Sequence, residues 1–180
     1  MFSIPSQIPI FRVEETHGRA VRGGNRLIAN SQDVGWRSLH AAIIEEGPFH
    51  ATEPAIGHPM LIYHLTRPTE VTRKIEGGPR NRELIGPRRI CLTPGNAATR
   101  WEHHGRPEIL QVYLRSSIFQ AAVGEIYNCD NLHAELVPRF AILDPMLEQL
   151  AIAITTALRD GTAEDGLYID TVPPYAAQER

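Results

Sequence analysis

The sequence predicts a mainly β domain, a small barrel or sandwich of short strands followed by α-helices. Between residues 36 and 114, seven stretches of strand chemistry follow one another, and proline or glycine turn signals separate nearly all of them. After Arg115 the apolar spacing changes to that of a helix. Length sets the scale: 180 residues suit one domain with a real core and are too few for two ordinary domains joined by a linker.

The expected strands are 36–44, 60–66, 70–75, 81–85, 88–92, 97–103 and 109–114. The separators are Glu46-Gly47-Pro48, Gly57-His58-Pro59, Arg67-Pro68, Gly77-Gly78-Pro79, Gly86-Pro87, Pro94-Gly95 and Gly105-Arg106-Pro107. Proline removes a ladder donor and glycine supplies positive φ, so each pair ends a strand and turns the chain. Evenly spaced short strands of this kind build a barrel or a sandwich. Residues 1–32, with Pro5, Pro9, Gly18, Gly23 and Gly24, read as an N-terminal arm holding one short strand at 8–13. The barrel is expected over 33–115 and a helical region over 116–180.

Ser116-Ser117 is expected to open the first helix, and Asp144-Pro145 is an N-cap followed by proline in the first turn of a second. In the second helix Met146, Leu147, Leu150, Ala151, Ile154, Ala157 and Leu158 recur at helical spacing until Gly161 closes it. That stripe must lie against the barrel, a partner helix or both. Met146, Leu147, Leu150, Ile154 and Leu158 are therefore the dimerisation candidates, and Ile152 sits off the main stripe. A third helix begins at Leu167, Tyr168 and Ile169 and is interrupted by Pro173-Pro174.

Composition narrows the function classes. With 42% hydrophobic and 22% charged residues the chain has enough apolar material to fold. A net charge of −3 supplies no field toward a phosphate backbone, so no direct nucleic-acid binding is expected. Arg12, Arg19, Arg22 and Arg26 cluster near the N-terminus, but Glu14 and Glu15 interrupt them and no aromatics interleave, which reads as a solvated arm. Cys91 and Cys129 have neither metal-ligand nor disulfide-framework spacing. With no leader pattern and no apolar run of membrane-spanning length, the expectation is a cytoplasmic protein with no membrane contact.

Strung together, Asp33-Val34-Gly35-Trp36-Arg37-Ser38-Leu39, Leu61-Ile62-Tyr63-His64-Leu65, Val71-Thr72-Arg73-Lys74-Ile75-Glu76-Gly77, Ile90-Cys91-Leu92-Thr93-Pro94-Gly95, Thr99-Arg100-Trp101, Glu108-Ile109-Leu110-Gln111-Val112-Tyr113-Leu114, Asp144-Pro145-Met146-Leu147 and Gly166-Leu167-Tyr168-Ile169 resemble the N-terminal domain of AraC-type transcription regulators. The resemblance spans about 33 to 170. It implies a cupin-like barrel, a double-stranded β-helix or jelly roll, followed by two or three helices. The barrel of such a domain binds a small-molecule effector, and a helix pair mediates dimerisation. The chain ends where that family's DNA-reading helix-turn-helix region would begin, and Pro173-Pro174 departs from the family's unbroken helix. The expected role is thus effector sensing and dimerisation in transcription regulation, as a homodimer or as a heterodimer with a full-length regulator. The alternative is a stand-alone cupin-type enzyme, with or without a metal.

Cupin metal sites use an HxH pair because side chains two apart on a strand project to one face. Here His103 and His104 are adjacent, and Pro94-Gly95 is followed by Asn96-Ala97-Ala98 where a ligand histidine belongs, so neither a metal nor another cofactor is expected. No Gly-x-Ser-x-Gly elbow, supported Cys-His pair or phosphate-binding loop is present, which makes an enzyme the minority reading. A small-molecule pocket in a barrel draws on large or hydrogen-bonding groups facing inward. Parity puts Ile62 and His64 on one face of their strand, and Thr99, Trp101 and His103 on one face of theirs; the ligand-binding candidates chosen are His64, Arg82, Trp101, His103 and Tyr113. Trp101 and Tyr113 could equally be core filling.

Overall fold

Short strands with alternating burial must pair face to face to hide their apolar side, and in the computed structural model they do so as two antiparallel sheets. The model describes residues 8–129 and 133–161. The strands are β1 (Arg26–Asn30), β2 (Leu39–Glu45), β3 (Phe49–Glu53), β4 (Met60–His64), β5 (Thr69–Ile75), β6 (Arg80–Ile85), β7 (Ile90–Thr93), β8 (Thr99–His103), β9 (Glu108–Leu114) and β10 (Arg139–Ile142). The helices are α1 (Ser116–Tyr127) and α2 (Pro145–Asp160).

The large sheet runs β1-β2-β9-β4-β7-β10 and the small sheet β3-β8-β5-β6. From β2 to β9 the chain alternates between sheets, except at the β5–β6 hairpin, where it turns and retraces its path. Each outgoing strand is then paired with a returning one, which is the strand order of a double-stranded β-helix or jelly roll, the architecture of cupins. The fold is mainly β with helices following, as the sequence implies.

Two cores result. Between the sheets lie Ile44, Ile62, Val71, Trp101, Ile109 and Tyr113. Outside the large sheet, Trp36, Ile43, Tyr63 and Leu110 meet Ala151, Ala157 and Leu158 of α2. Strand β2 is central and covered on both faces, which is why Leu39 to Ile44 is buried without alternation. Helix α2 begins where Asp144 Oδ1 accepts hydrogen bonds from the amides of Met146 and Leu147, both at 3.0 Å, with Pro145 in its first turn. Gly161, at φ 63°, caps its end.

Several expectations need correction. Residues 8–13 form no strand; the Arg12 amide donates to the Glu15 carboxylate at 2.8 Å and a 3-10 turn follows at Val13–Thr16. Strand β1 falls inside the stretch read as an arm, and β3 and β10 were absent from the sequence reading. Strand β3 is short and shows little apolar alternation, while β10 carries a register shift. Helix α1 starts at Ser116 itself, without a side-chain cap, and buries none of its residues. The dimerisation stripe divides: Leu158 is buried against the chain's own barrel, Leu147 and Ile154 are half-buried, and Met146 and Leu150 are exposed. The expected third helix and Pro173-Pro174 lie outside the described residues. No helix among the described residues is long and apolar enough to cross a membrane.

Candidate functional site

The expected solvated basic stretch holds at Arg12 and Arg26 but not at Arg19. Two 3-10 turns, at Val13–Thr16 and Arg19–Val21, meet at His17 and Gly18, which have left-handed φ of 55° and 60°. This tight double turn drops Arg19 into the barrel, where only 2% of it is exposed. Phe11 enters the inner core ahead of it, and the Arg115 guanidinium lies 4.0 Å over its ring. Behind it, Asn25 donates to the Arg19 carbonyl and accepts from the Gly47 amide, both at 2.9 Å. At Gly47 a Cβ would stand 2.5 Å from the Gly24 carbonyl oxygen, so this contact requires glycine.

Inside, Arg19 meets two carboxylates. Its Nε and Nη2 donate to opposite oxygens of Glu53 at 2.8 and 2.6 Å, and its Nη1 donates to Glu46 at 2.9 Å. Arg22 adds a 2.6 Å bond to Glu53 and stacks 3.8 Å over Phe49. Burial pushes both acids toward neutrality, but the Arg19 charge outweighs it; Glu53 is held below its ordinary range and Glu46 is lowered to about 2. A buried fork of this kind is strongly directional, and removing one member leaves an uncompensated charge.

A neutral relay adjoins it. His17 Nε2 is 2.9 Å from the Pro54 carbonyl, an acceptor only, so in this arrangement Nε2 carries the proton and Nδ1 accepts. The Tyr113 hydroxyl, 2.7 Å from Nδ1, donates to it and accepts from Gln111 Nε2 at 2.8 Å. Burial first, and Arg19 and Arg22 further, hold the His17 pKa down against the opposing pull of Glu53.

Four of the five sequence candidates gather in this interior. His64, Trp101 and His103 are each 4% exposed and Tyr113 is fully buried. His103 Nε2 lies 3.4 Å from Glu46, and the Arg19 guanidinium sits 5.4 Å from the centre of the Trp101 ring. Burial lowers His64 to about 4 despite the nearby Glu46. Arg82 does not join them. On β6, an edge strand, it faces outward and pairs with Glu70 at 2.7 Å in the open. Strand β6 buries only Ile85 fully, so Arg82 has no interior to enter.

The sequence reading missed Arg19, Glu46, Glu53, His17 and Gln111. Glu46 and Glu53 flank the turn and strand after β2, and nothing in their spacing distinguishes them from surface acids. Arg73 was missed too. It is 2% exposed, donates to the carbonyls of Leu92 and Arg139 at 2.8 and 2.9 Å, and so ties the small sheet to the large one. Among the described residues, His64 Nδ1, His103 Nδ1, Trp101 Nε1 and Thr99 Oγ1 are buried with no hydrogen-bond partner. A cavity of about 10 Å³, room for one water molecule, is lined by His17, Glu53, Thr99 and Trp101. No group of three or more His, Cys, Asp or Glu among the described residues is placed to hold a metal ion. A second cavity, about 220 Å³ and apolar, opens between the large sheet, α1 and α2 around Leu61, Phe119, Leu147 and Leu150.

No protein-family model matches the sequence, and no curated protein matches it. Among solved structures the chain is similar to the Cnp3 cupin domain of Schizosaccharomyces pombe, with a TM-score of 0.42, 8% identity, and 63% of this chain and 77% of that one covered. It is similar to a mutant of Bacillus subtilis oxalate decarboxylase OxdC, with a TM-score of 0.39, 15% identity, and 84% and 36% covered. It is similar also to vicilin from Corylus avellana, with a TM-score of 0.35, 12% identity, and 50% and 28% covered. The chain spans about a third of the decarboxylase. The fold assignment rests on the strand order, and no activity travels with likeness of this degree.

Proposed function

We infer that this chain is an effector-sensing and dimerisation module of the AraC-like kind, binding a small molecule inside the barrel and transmitting its presence through the N-terminal arm. The observation that carries this reading is Arg19, a side chain from outside the eight jelly-roll strands buried between two of the barrel's own carboxylates. A pocket filled by a detachable segment has two states, and a ligand that binds only the open one shifts the balance between them. The exposed apolar residues of the helices, Ile126, Tyr127, Met146 and Leu150, support the dimerisation half of the reading.

Native mass spectrometry of the protein purified from its own host tests it. A dimer carrying an organic molecule, with no stoichiometric metal, is the expected result. A monomer loaded with iron, manganese, nickel or zinc would overturn it in favour of a cupin enzyme.

A further inference from the structure

The identity of the ligand follows from what fills its place, an inference that rests on the sensor reading above. We propose that Glu46, Glu53 and the face of Trp101 form a recognition site for a guanidinium-bearing cation, and that Arg19 is the chain's own occupant of that site. One guanidinium satisfies both acids, with two donors on Glu53 and one on Glu46, while its plane lies within cation–π range of Trp101. Both acids and the tryptophan belong to the barrel or its β2–β3 turn. Arg19, Arg22 and His17 belong to one short segment joined to β1 through Gly23-Gly24.

Lifting that segment removes two positive charges at once and leaves the barrel's strand pairing untouched. It also leaves two buried carboxylates, which a neutral ligand cannot compensate and an anion would worsen. A ligand with a guanidinium and a second cationic group restores the balance. His103 Nδ1, His64 Nδ1 and Trp101 Nε1, on side chains 4% exposed and without partners among the described residues, provide hydrogen-bonding capacity that Arg19 does not use. A compact metal cation lacks the planar fork that the two acids hold here.

Calorimetric titration of the full chain and of R19M with agmatine, methylguanidine and urea tests the assignment. R19M is expected to bind agmatine at least tenfold more tightly than the wild type does, methylguanidine more weakly, and neutral urea not at all, with E53Q abolishing the response. Should R19M not fold, its refolding in methylguanidine is the readout, and failure of methylguanidine to rescue it overturns the site. Equal binding of urea and methylguanidine also overturns it. In the wild type, agmatine is expected to speed tryptic cleavage of the arm. Agmatine binding to R19M with no arm release at any concentration keeps the cation site and overturns the sensor reading. Arm release by a neutral or anionic molecule, with no guanidinium binding, does the reverse.

Discussion

Arg19 and Glu53 meet edge to edge, with Nε and Nη2 on opposite carboxylate oxygens at 2.8 and 2.6 Å, across 34 residues of sequence. The pair joins the arm to the last residue of β3, so the position of the arm and the charge state of the barrel interior are one variable. Breaking the fork from the arm side leaves Glu46 and Glu53 buried together. Arg19→Met is expected to lower stability by about 3–5 kcal/mol, and the triple change R19M/E46Q/E53Q to recover much of that. Urea denaturation of the variants measures it. Equal stability of R19M and wild type would show that the fork contributes nothing.

Gly47→Ala attacks the same docking from a distance. Its Cβ meets the Gly24 carbonyl oxygen, and strain of about 1–3 kcal/mol should enlarge the arm-open population by about 5-fold to 150-fold. Limited proteolysis at Arg19 and Arg22 reads this directly. An unchanged cleavage rate would mean that the Gly24–Gly47 contact does not hold the arm.

Acid should act in two stages. Burial lowers His40 and His64 to about 4, below the ordinary histidine value of 6.5. The unfolded chain therefore takes up protons between pH 6.5 and 4 that the folded chain refuses, and stability falls as pH drops through that window. The slope is about 1.4 kcal/mol per pH unit per histidine. Glu46, lowered to about 2, contributes above its ordinary 4.5 and loses that contribution as pH falls toward 2. His64→Gln should flatten the first stage only. An unaltered slope between pH 6.5 and 4 in the variant would remove His64 from this account.

Tyr113→Phe deletes the hydroxyl shared by His17 and Gln111. Buried Gln111 and half-buried His17 lose their common partner, at a cost of about 1–3 kcal/mol. Thermal unfolding of Y113F alongside Q111L separates the relay from packing, because Q111L removes a donor whose partner can still serve His17.

Met146→Glu, at a side chain 76% exposed, should leave monomer stability within about 0.5 kcal/mol, and Leu150→Glu, 55% exposed at the rim of the apolar cavity, should cost little more. The proposed dimer requires that sedimentation velocity show the wild type as a dimer and the variants as monomers. Leu158→Glu, buried against the large sheet, should instead unfold the chain.

The barrel was legible in the sequence because its punctuation is local. Pro94-Gly95 or Gly77-Gly78-Pro79 turns the chain whatever surrounds it, and strand parity grouped Thr99, Trp101 and His103 on one face without knowledge of their partners. Asp144-Pro145 and Gly161 likewise bounded α2 through contacts within a few residues. The interior charges were not legible. Arg19 lies in a polar, glycine-rich stretch whose composition suggests solvent, and only the folding of Glu46 and Glu53 around it makes burial tolerable. An ion pair spanning 27 or 34 residues leaves no periodicity to detect. Arg82 shows the converse: it is a large polar residue on a strand whose edge position the sequence does not declare.

Because Arg19 is tethered to the barrel it fills, it competes with any free ligand at a fixed effective concentration, in the millimolar range for a short connection. An arm that is docked 99% of the time raises the apparent dissociation constant of its competitor about a hundredfold. On the sensor reading proposed above, the tether would set a response threshold, and substitutions along Gly23-Gly24 would retune the concentration at which the barrel responds.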